Sequence, residues 1–305
     1  MTRAPVAVFA YRRAGHLRRA LDSLAANPEA PQTDVFVFCD GAKGPRDAAA
    51  VAAARAVARA ASGFRSVEVI ERGSNLGLAQ SLIAGITQIV EARERVIVVE
   101  DDLVLSPHFL AFMNDALTLY ADDERVASVH GYVFPVRRAL PETFFLKGAE
   151  CWGWSTWRRA WRRFDPDAAA LLRQIRERRL EREFDLDGAY PYTRLLELQA
   201  RGKVDSWAIR WRASCYLAGL VTLYPGRAVV RNAGFDESGT HHRDKSSEFE
   251  VELTDAPVRV QRIPVEPSAA GRAAYVDFFR RRERPGLLRR AWRFASRLAR
   301  RHAIA

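Results

Sequence analysis

The sequence predicts an α/β protein with a mostly parallel sheet flanked by helices. Apolar runs at 6–11, 34–40, 66–71, 95–100 and 126–132 recur through the first 132 residues, and helical periodicity separates them. The runs are continuously apolar rather than alternating, which suits strands buried on both faces.

VAVFAY (6–11) reads as the first strand and HLRRALDSLAA as the helix after it. DVFVFCD (34–40) and SVEVIE (66–71) are the next strands, separated by an Ala-rich helix over 46–61. LAQSLIAGITQIVEA returns the chain to RVIVVE (95–100). Ser106 and Pro107 then supply a cap and first turn for HFLAFMNDALTLY, whose Phe109, Phe112, Met113, Ala116 and Tyr120 form an apolar stripe. VASVHGY (126–132) closes the alternating half, 1–132, expected to bind a ligand beyond the carboxyl ends of its strands. A second half, 133–265, changes character, with four tryptophans crowded into CWGWSTWRRAW and helices expected near 168–183 and 189–201. The remainder, 266–305, is a basic tail.

Of the net charge of +11, the residues from Arg280 onward carry +9. After Pro285 and Gly286, Leu287, Leu288, Ala291, Trp292, Ala295 and Leu298 recur at helical spacing among arginines. A basic amphipathic helix at 280–302 points to an anionic membrane surface, the alternative being a helix docked on the body. No nucleic-acid motif accompanies the charge, so no nucleic-acid partner is expected. Cys39, Cys151 and Cys215 are odd in number and far apart, which fits a reducing cytosol better than a disulfide framework or a zinc site. No run approaches the roughly 18 apolar residues of a membrane span. The expected location is cytoplasmic, peripheral on the inner face of the membrane.

RVIVVEDDLVLSPHFL places Glu100, Asp101 and Asp102 together at a strand end. Adjacent carboxylates raise one another's pKa unless something compensates them. Either the triplet is a solvated turn or it holds a cation, and carboxylate oxygens favour Mg2+ or Mn2+. Neither a Walker-type loop nor a G-x-G-x-x-G follows the first strand, which removes P-loop and dinucleotide readings.

Six pieces in order over residues 5–242 resemble nucleotide-sugar glycosyltransferases of the GT-A fold, most closely N-acetylglucosaminyltransferase I and its bacterial relatives, with an N-terminal half similar to family-two enzymes. VVEDDLVLSPHFL matches the acidic metal-binding motif, and FAYRR stands where an arginine meets the nucleotide, here taken as Arg12. FCDGAKG stands where the family places an Asp against the base, implying Asp40. CWGWSTW resembles an acceptor-side segment, implying Trp152, Gly153 and Trp154, and KVDSWAIRW resembles the segment carrying the catalytic base, implying Asp205 with Trp207 beside it. RNAGFDESGTHH resembles a loop that closes over the donor, implying Thr240 and His241. Val204 and Ser206 depart from the family's Trp and Asp, so the base assignment rests on Asp205, whose alternative role is a helix N-cap.

The resemblance implies a metal-dependent inverting hexosyl- or N-acetylhexosaminyltransferase that uses a uridine-linked nucleotide-sugar donor and a glycan or lipid-linked acceptor. Asp102 would be the chief ligand of Mn2+ or Mg2+, with Glu100 and Asp101 orienting the donor. The tryptophans and the arginines Arg158, Arg159, Arg162 and Arg163 carry a second reading each, as core and as a solvated stripe. The rival function is a non-catalytic carbohydrate- or membrane-binding protein that keeps the same fold.

Overall fold

The computed structural model describes residues 3–235 and 247–283. The N-terminal half alternates as expected: β1 (Val6–Ala10), α1 (Ala14–Ala25), β2 (Asp34–Cys39), α2 (Pro45–Arg59), β3 (Ser66–Glu71), α3 (Leu78–Arg93) and β4 (Arg95–Glu100). Then come β5 (Leu103–Leu105), α4 (Phe109–Leu119), β6 (Val126–His130), β7 (Thr143–Lys147), β8 (Trp154–Trp157) and α5 (Arg158–Trp161). The chain continues through α6 (Ala168–Glu177), α7 (Glu181–Phe184), α8 (Tyr192–Ala200), α9 (Trp207–Leu217), β9 (Val221–Pro225), β10 (Val230–Asn232) and α10 (Ala269–Glu283).

The central sheet has the order β3-β2-β1-β4-β8-β6-β9-β7, and β5 pairs with β10 in a separate antiparallel ribbon. β3, β2, β1 and β4 run parallel, so the loops after β1, β2 and β4 open on one rim. β8 lies antiparallel between β4 and β6, and β7 forms the antiparallel far edge against β9. The apolar pattern of the sequence marks β6 but not the strand that separates it from β4. Its WSTW is buried throughout, and Trp is at home in a pleated, enclosed strand.

Strand alternation builds two cores. Val6, Val8, Val35, Val37, Ile97 and Val99 face one layer, with Leu17, Leu21 and Leu24 of α1. Ala7, Phe9, Phe36, Phe38, Val96 and Val98 face the other, with Leu82, Ile86 and Ile89 of α3, Trp154 of β8 and the tryptophans of α9. This two-sided enclosure explains the unbroken apolar runs: each side chain points into one layer or the other.

The tail begins later than its charge suggests. α10 packs on β7, where a Cβ on Gly271 would lie 2.5 Å from Phe144 Cδ2. Arg280 donates to the Asp187 carbonyl at 3.4 Å and Arg282 to Glu248 at 2.8 Å while lying 4.3 Å from the Phe249 ring centroid, and Arg281 pairs within the helix with Asp277. The first arginines of the basic stretch are therefore docked on the body, and residues 284–302 lie outside the described residues. Among the described residues no helix is long and apolar enough to cross a membrane.

α3 sits close to the sheet because Gly85 faces the stacked rings of Phe9 and Phe38, whose centroids are 5.0 Å apart. A Cβ on Gly85 would come within 2.6 Å of Phe9 Cε1. We predict that Gly85→Val costs about 1–3 kcal/mol by overpacking, read as a lower urea midpoint. An unchanged midpoint would show that α3 is free to move outward.

Candidate active site

The rim is assembled from strand ends. β1 gives way to Tyr11, Arg12 and Arg13, β2 to Asp40, and β4 ends in Glu100 ahead of Asp101 and Asp102. Asp101 is 5% exposed, and its backbone N–H still extends the ladder to Phe9 O at 3.1 Å. A buried acidic pair needs compensation, and Arg13 supplies it. Its Nε donates to Asp101 Oδ2 at 3.3 Å, while its Nη2 donates to Asp102 Oδ2 at 2.9 Å and also to Asp101 Oδ1. Burial works against the charge on Arg13, but the two carboxylates overcome it and raise its pKa. Burial pushes the Asp101 carboxyl up against the pull of Arg13. It pushes Glu100 up too, and there the charges of Asp102 and Asp101 add to the rise.

Arg12, the arginine expected at the nucleotide, points elsewhere. It pairs with Asp47 at 2.8 Å with half its side chain in solvent, and Asp47 also accepts from Tyr11 Oη. The adjacent residue, Arg13, is the one on the acidic triplet. Two arginines in a row at a strand end were the available signal; which of them turned inward depended on the start of α1 at Ala14.

Asp40 is 4% exposed, and its carboxylate accepts from three backbone N–H groups: Gly41 at 3.0 Å, Leu76 at 2.9 Å and Gly77 at 3.1 Å. The loop after β2 is thereby tied to the loop before α3. The two backbones are close enough that a Cβ on Gly41 would sit 2.4 Å from the Ser74 carbonyl carbon. Asn75 completes the join by donating to Gly41 O at 2.8 Å. Asp40 thus builds the floor of the rim instead of presenting an open carboxylate.

Asp205 reaches the same floor from the second half. A Cβ on Gly77 would be 3.8 Å from Asp205 Oδ2. The side chain of Asp205 is 65% exposed, and Arg210 Nη2 lies 3.6 Å away. The N-cap of α9 is Ser206, whose Oγ accepts from Ile209 N at 3.4 Å, so Asp205 is not held as a cap. Leu76 and Leu78, exposed large apolar side chains, flank Gly77 beside it.

The β10 strand lays the start of the last motif directly on the acidic triplet. Asn232 pairs with Leu103, and Ala233 N donates to Asp102 O at 2.7 Å. A Cβ on Gly234 would lie 2.4 Å from Asp102 Oδ2. Thr240 and His241, together with His242 and Asp236, lie outside the described residues.

The tryptophans divide. Trp154 and Trp207 stack at 5.4 Å in the core with Trp161 and Trp211, and they are 0% and 3% exposed, which corrects the expectation that they offer open faces to an acceptor. Trp152 is half-buried and meets Tyr132 edge-on at 4.8 Å. Gly153 has φ of +59°, and a Cβ there would be 2.6 Å from Val230 Cγ2, so this glycine is required by close packing. Arg158, Arg159 and Arg162 turn away from the rim: Arg159 donates to the carbonyls of Tyr120, Ala121 and Val126, and Arg158 and Arg162 pair with Glu91. Glu150, two residues before Trp152, is engaged by Arg212 at 2.6 Å and Tyr192 at 2.8 Å.

Among the described residues no three His, Cys, Asp or Glu side chains converge as a metal-binding set. One carboxylate suffices for an ion that takes its other ligands from phosphate oxygens and water. Asp102 fits that role: it is a hard oxygen donor, 18% exposed, at the carboxyl end of β4.

Because Asp40 receives three N–H groups, we predict that Asp40→Asn, which turns one acceptor into a donor, costs about 1–3 kcal/mol. The measurement is chemical denaturation, and an unchanged midpoint would remove Asp40 from its structural role.

The family described as "Glycosyltransferase like family 2" matches residues 3–163, just over half of the chain, from before β1 to just past α5. No curated protein matches at a significant level. Similar solved structures include the mannosyltransferase PcManGT from Pyrobaculum calidifontis in complex with GDP-Man and Mn2+, at 19% identity and TM-score 0.32 over 43% of this chain and 36% of that one. S. aureus TarS matches at 17% identity and TM-score 0.32, over 48% of this chain and 25% of TarS. The 1–349 form of TarS matches at 16% and 0.32, with 41% of that chain covered. The chain thus spans between a quarter and about two fifths of the length of these structures. With its four parallel strands, the inserted antiparallel β8 and an acidic motif at the end of β4, the chain belongs to the glycosyltransferase family 2-like group and has the α/β architecture of the GT-A fold.

Proposed function

We propose that the protein is a metal-dependent, inverting glycosyltransferase that moves a hexosyl or N-acetylhexosaminyl group from a uridine diphosphate-sugar to a glycan or lipid-linked acceptor. The observation that carries the reading is the placement of one exposed carboxylate, Asp205, beside Gly77, on the floor that Asp40 ties to the rim holding Arg13, Asp101 and Asp102. Mn2+ or Mg2+ held by Asp102 would supply Lewis-acid stabilisation of the departing diphosphate.

The chain's own residues divide the remaining work. Asp40 positions the loops on which the base rests. Arg13 brings a fixed positive charge to the phosphates, and Glu100 and Asp101 orient donor hydroxyls. Asp205 accepts the proton of the acceptor hydroxyl as its oxygen attacks the anomeric carbon in line, the carbon–phosphate oxygen bond breaks and the nucleoside diphosphate leaves. The outcome is inversion. Trp152 stands at the acceptor side, and exposed Leu76 and Leu78 beside Asp205 favour an acceptor with an apolar part, such as a lipid-linked glycan. Thr240 and His241 would act on the donor from the loop that begins over Asp102.

Asp205→Asn is expected to keep nucleotide binding while transfer falls by about 10²–10⁴-fold, measured by product formation alongside calorimetric titration with UDP. Turnover near the wild-type rate would place the base elsewhere. We also assign the arginine-rich stretch after Glu283 to an anionic membrane surface on the cytoplasmic side. Truncation after Glu283 should then weaken binding to phosphatidylserine vesicles and spare turnover on a soluble acceptor. Unchanged vesicle binding would contradict that assignment.

A further inference from the structure

Arg13 occupies a position that the proposed chemistry leaves in competition. Its guanidinium spans two carboxylates, with Nε and Nη2 on Asp101 and Nη2 also on Asp102 Oδ2. All three side chains are largely enclosed, at 21%, 6% and 18% exposure. The backbone beneath is fixed, because Arg13 O accepts from Leu17 N at 3.0 Å in the first turn of α1. A divalent cation arriving alone at Asp102 therefore meets a carboxylate oxygen that already accepts from a guanidinium, with a permanent positive charge beside it. Like charges at such range repel strongly in an enclosed site.

We infer that Arg13 is a built-in counter-ion that keeps bare metal out and couples metal binding to donor binding. The inference rests on the metal-dependent reading above. A diphosphate brings negative charge to which the guanidinium can transfer, since Arg matches phosphate and carboxylate with the same planar fork. Freed of Arg13, Asp102 then has its charge available to the cation. Nucleotide should tighten metal binding and, by reciprocity, metal should tighten nucleotide binding by the same factor. Arg12, engaged with Asp47, has no part in this coupling.

The test is Mn2+ binding by electron paramagnetic resonance on full-length protein, with and without UDP. Without nucleotide, Arg13→Gln should bind Mn2+ at least about tenfold more tightly than wild type, and the tightening caused by UDP should shrink by a similar factor. Arg13→Lys keeps the charge but loses the fork across two carboxylates, so it should show a smaller rise of about threefold; it also serves if the Gln variant does not fold. No rise in bare-metal affinity in either folded variant overturns the inference, and if UDP still tightens Mn2+ binding in wild type, the metal-dependent reading stands. Failure of wild type to bind Mn2+ even with UDP overturns both.

Discussion

The site depends on how three adjacent carboxylates are tolerated at the end of a buried strand. β4 delivers Glu100, Asp101 and Asp102 into a partly enclosed rim, where burial drives Glu100 and Asp101 towards neutrality. The Arg13 guanidinium compensates two of them, and it reaches them only because β1 lies beside β4 in the sheet. The charge balance is therefore a consequence of topology. The β5–β10 ribbon adds a second constraint by pressing Gly234 against Asp102, so the last motif of the chain starts on the acidic one.

The remainder of the fold holds these ends in register. Alternating side chains of β1, β2 and β4 fill two separate cores, one under α1 and one under α3, which fixes the rim from both faces. β8 extends the sheet from β4 and lines the second core with Trp154, against which Trp207 stacks at the start of α9. That stack sets the position of Asp205, two residues earlier. The tryptophans thus serve the proposed base by placing its helix, while Trp152 alone of the expected acceptor-side aromatics is half-buried.

Much of this was legible in the sequence, for identifiable reasons. Strands enclosed on both faces are continuous apolar runs, so β1, β2, β4 and β6 announced themselves, the edge strand β3 showed itself by the valines and isoleucine of SVEVIE, and the acidic triplet marked the rim by its position after β4. Three things were not legible. β8 is a four-residue strand that pairs antiparallel with partners far away in sequence, and local pattern carries no trace of such an insertion. The choice between Arg12 and Arg13 turned on one residue of helix phase. The burial of Trp154 and Trp207 followed from tertiary packing, to which an aromatic-rich motif is blind. Ser206, which departs from the family's Asp, became intelligible only as the cap of α9, the role that Asp205 would otherwise have been read to fill.

The central claim is that Asp102 and the rim around it support metal-dependent sugar transfer from a nucleotide donor. The most direct measurement is release of nucleoside diphosphate from a panel of nucleotide-sugars by the purified protein, with Mn2+ and then with EDTA. Release from a uridine-linked donor is expected to require the metal, stop with the chelator, return on adding Mn2+ back and be absent in Asp102→Ala. Equal release in EDTA, or no release from any donor in the panel, would contradict it.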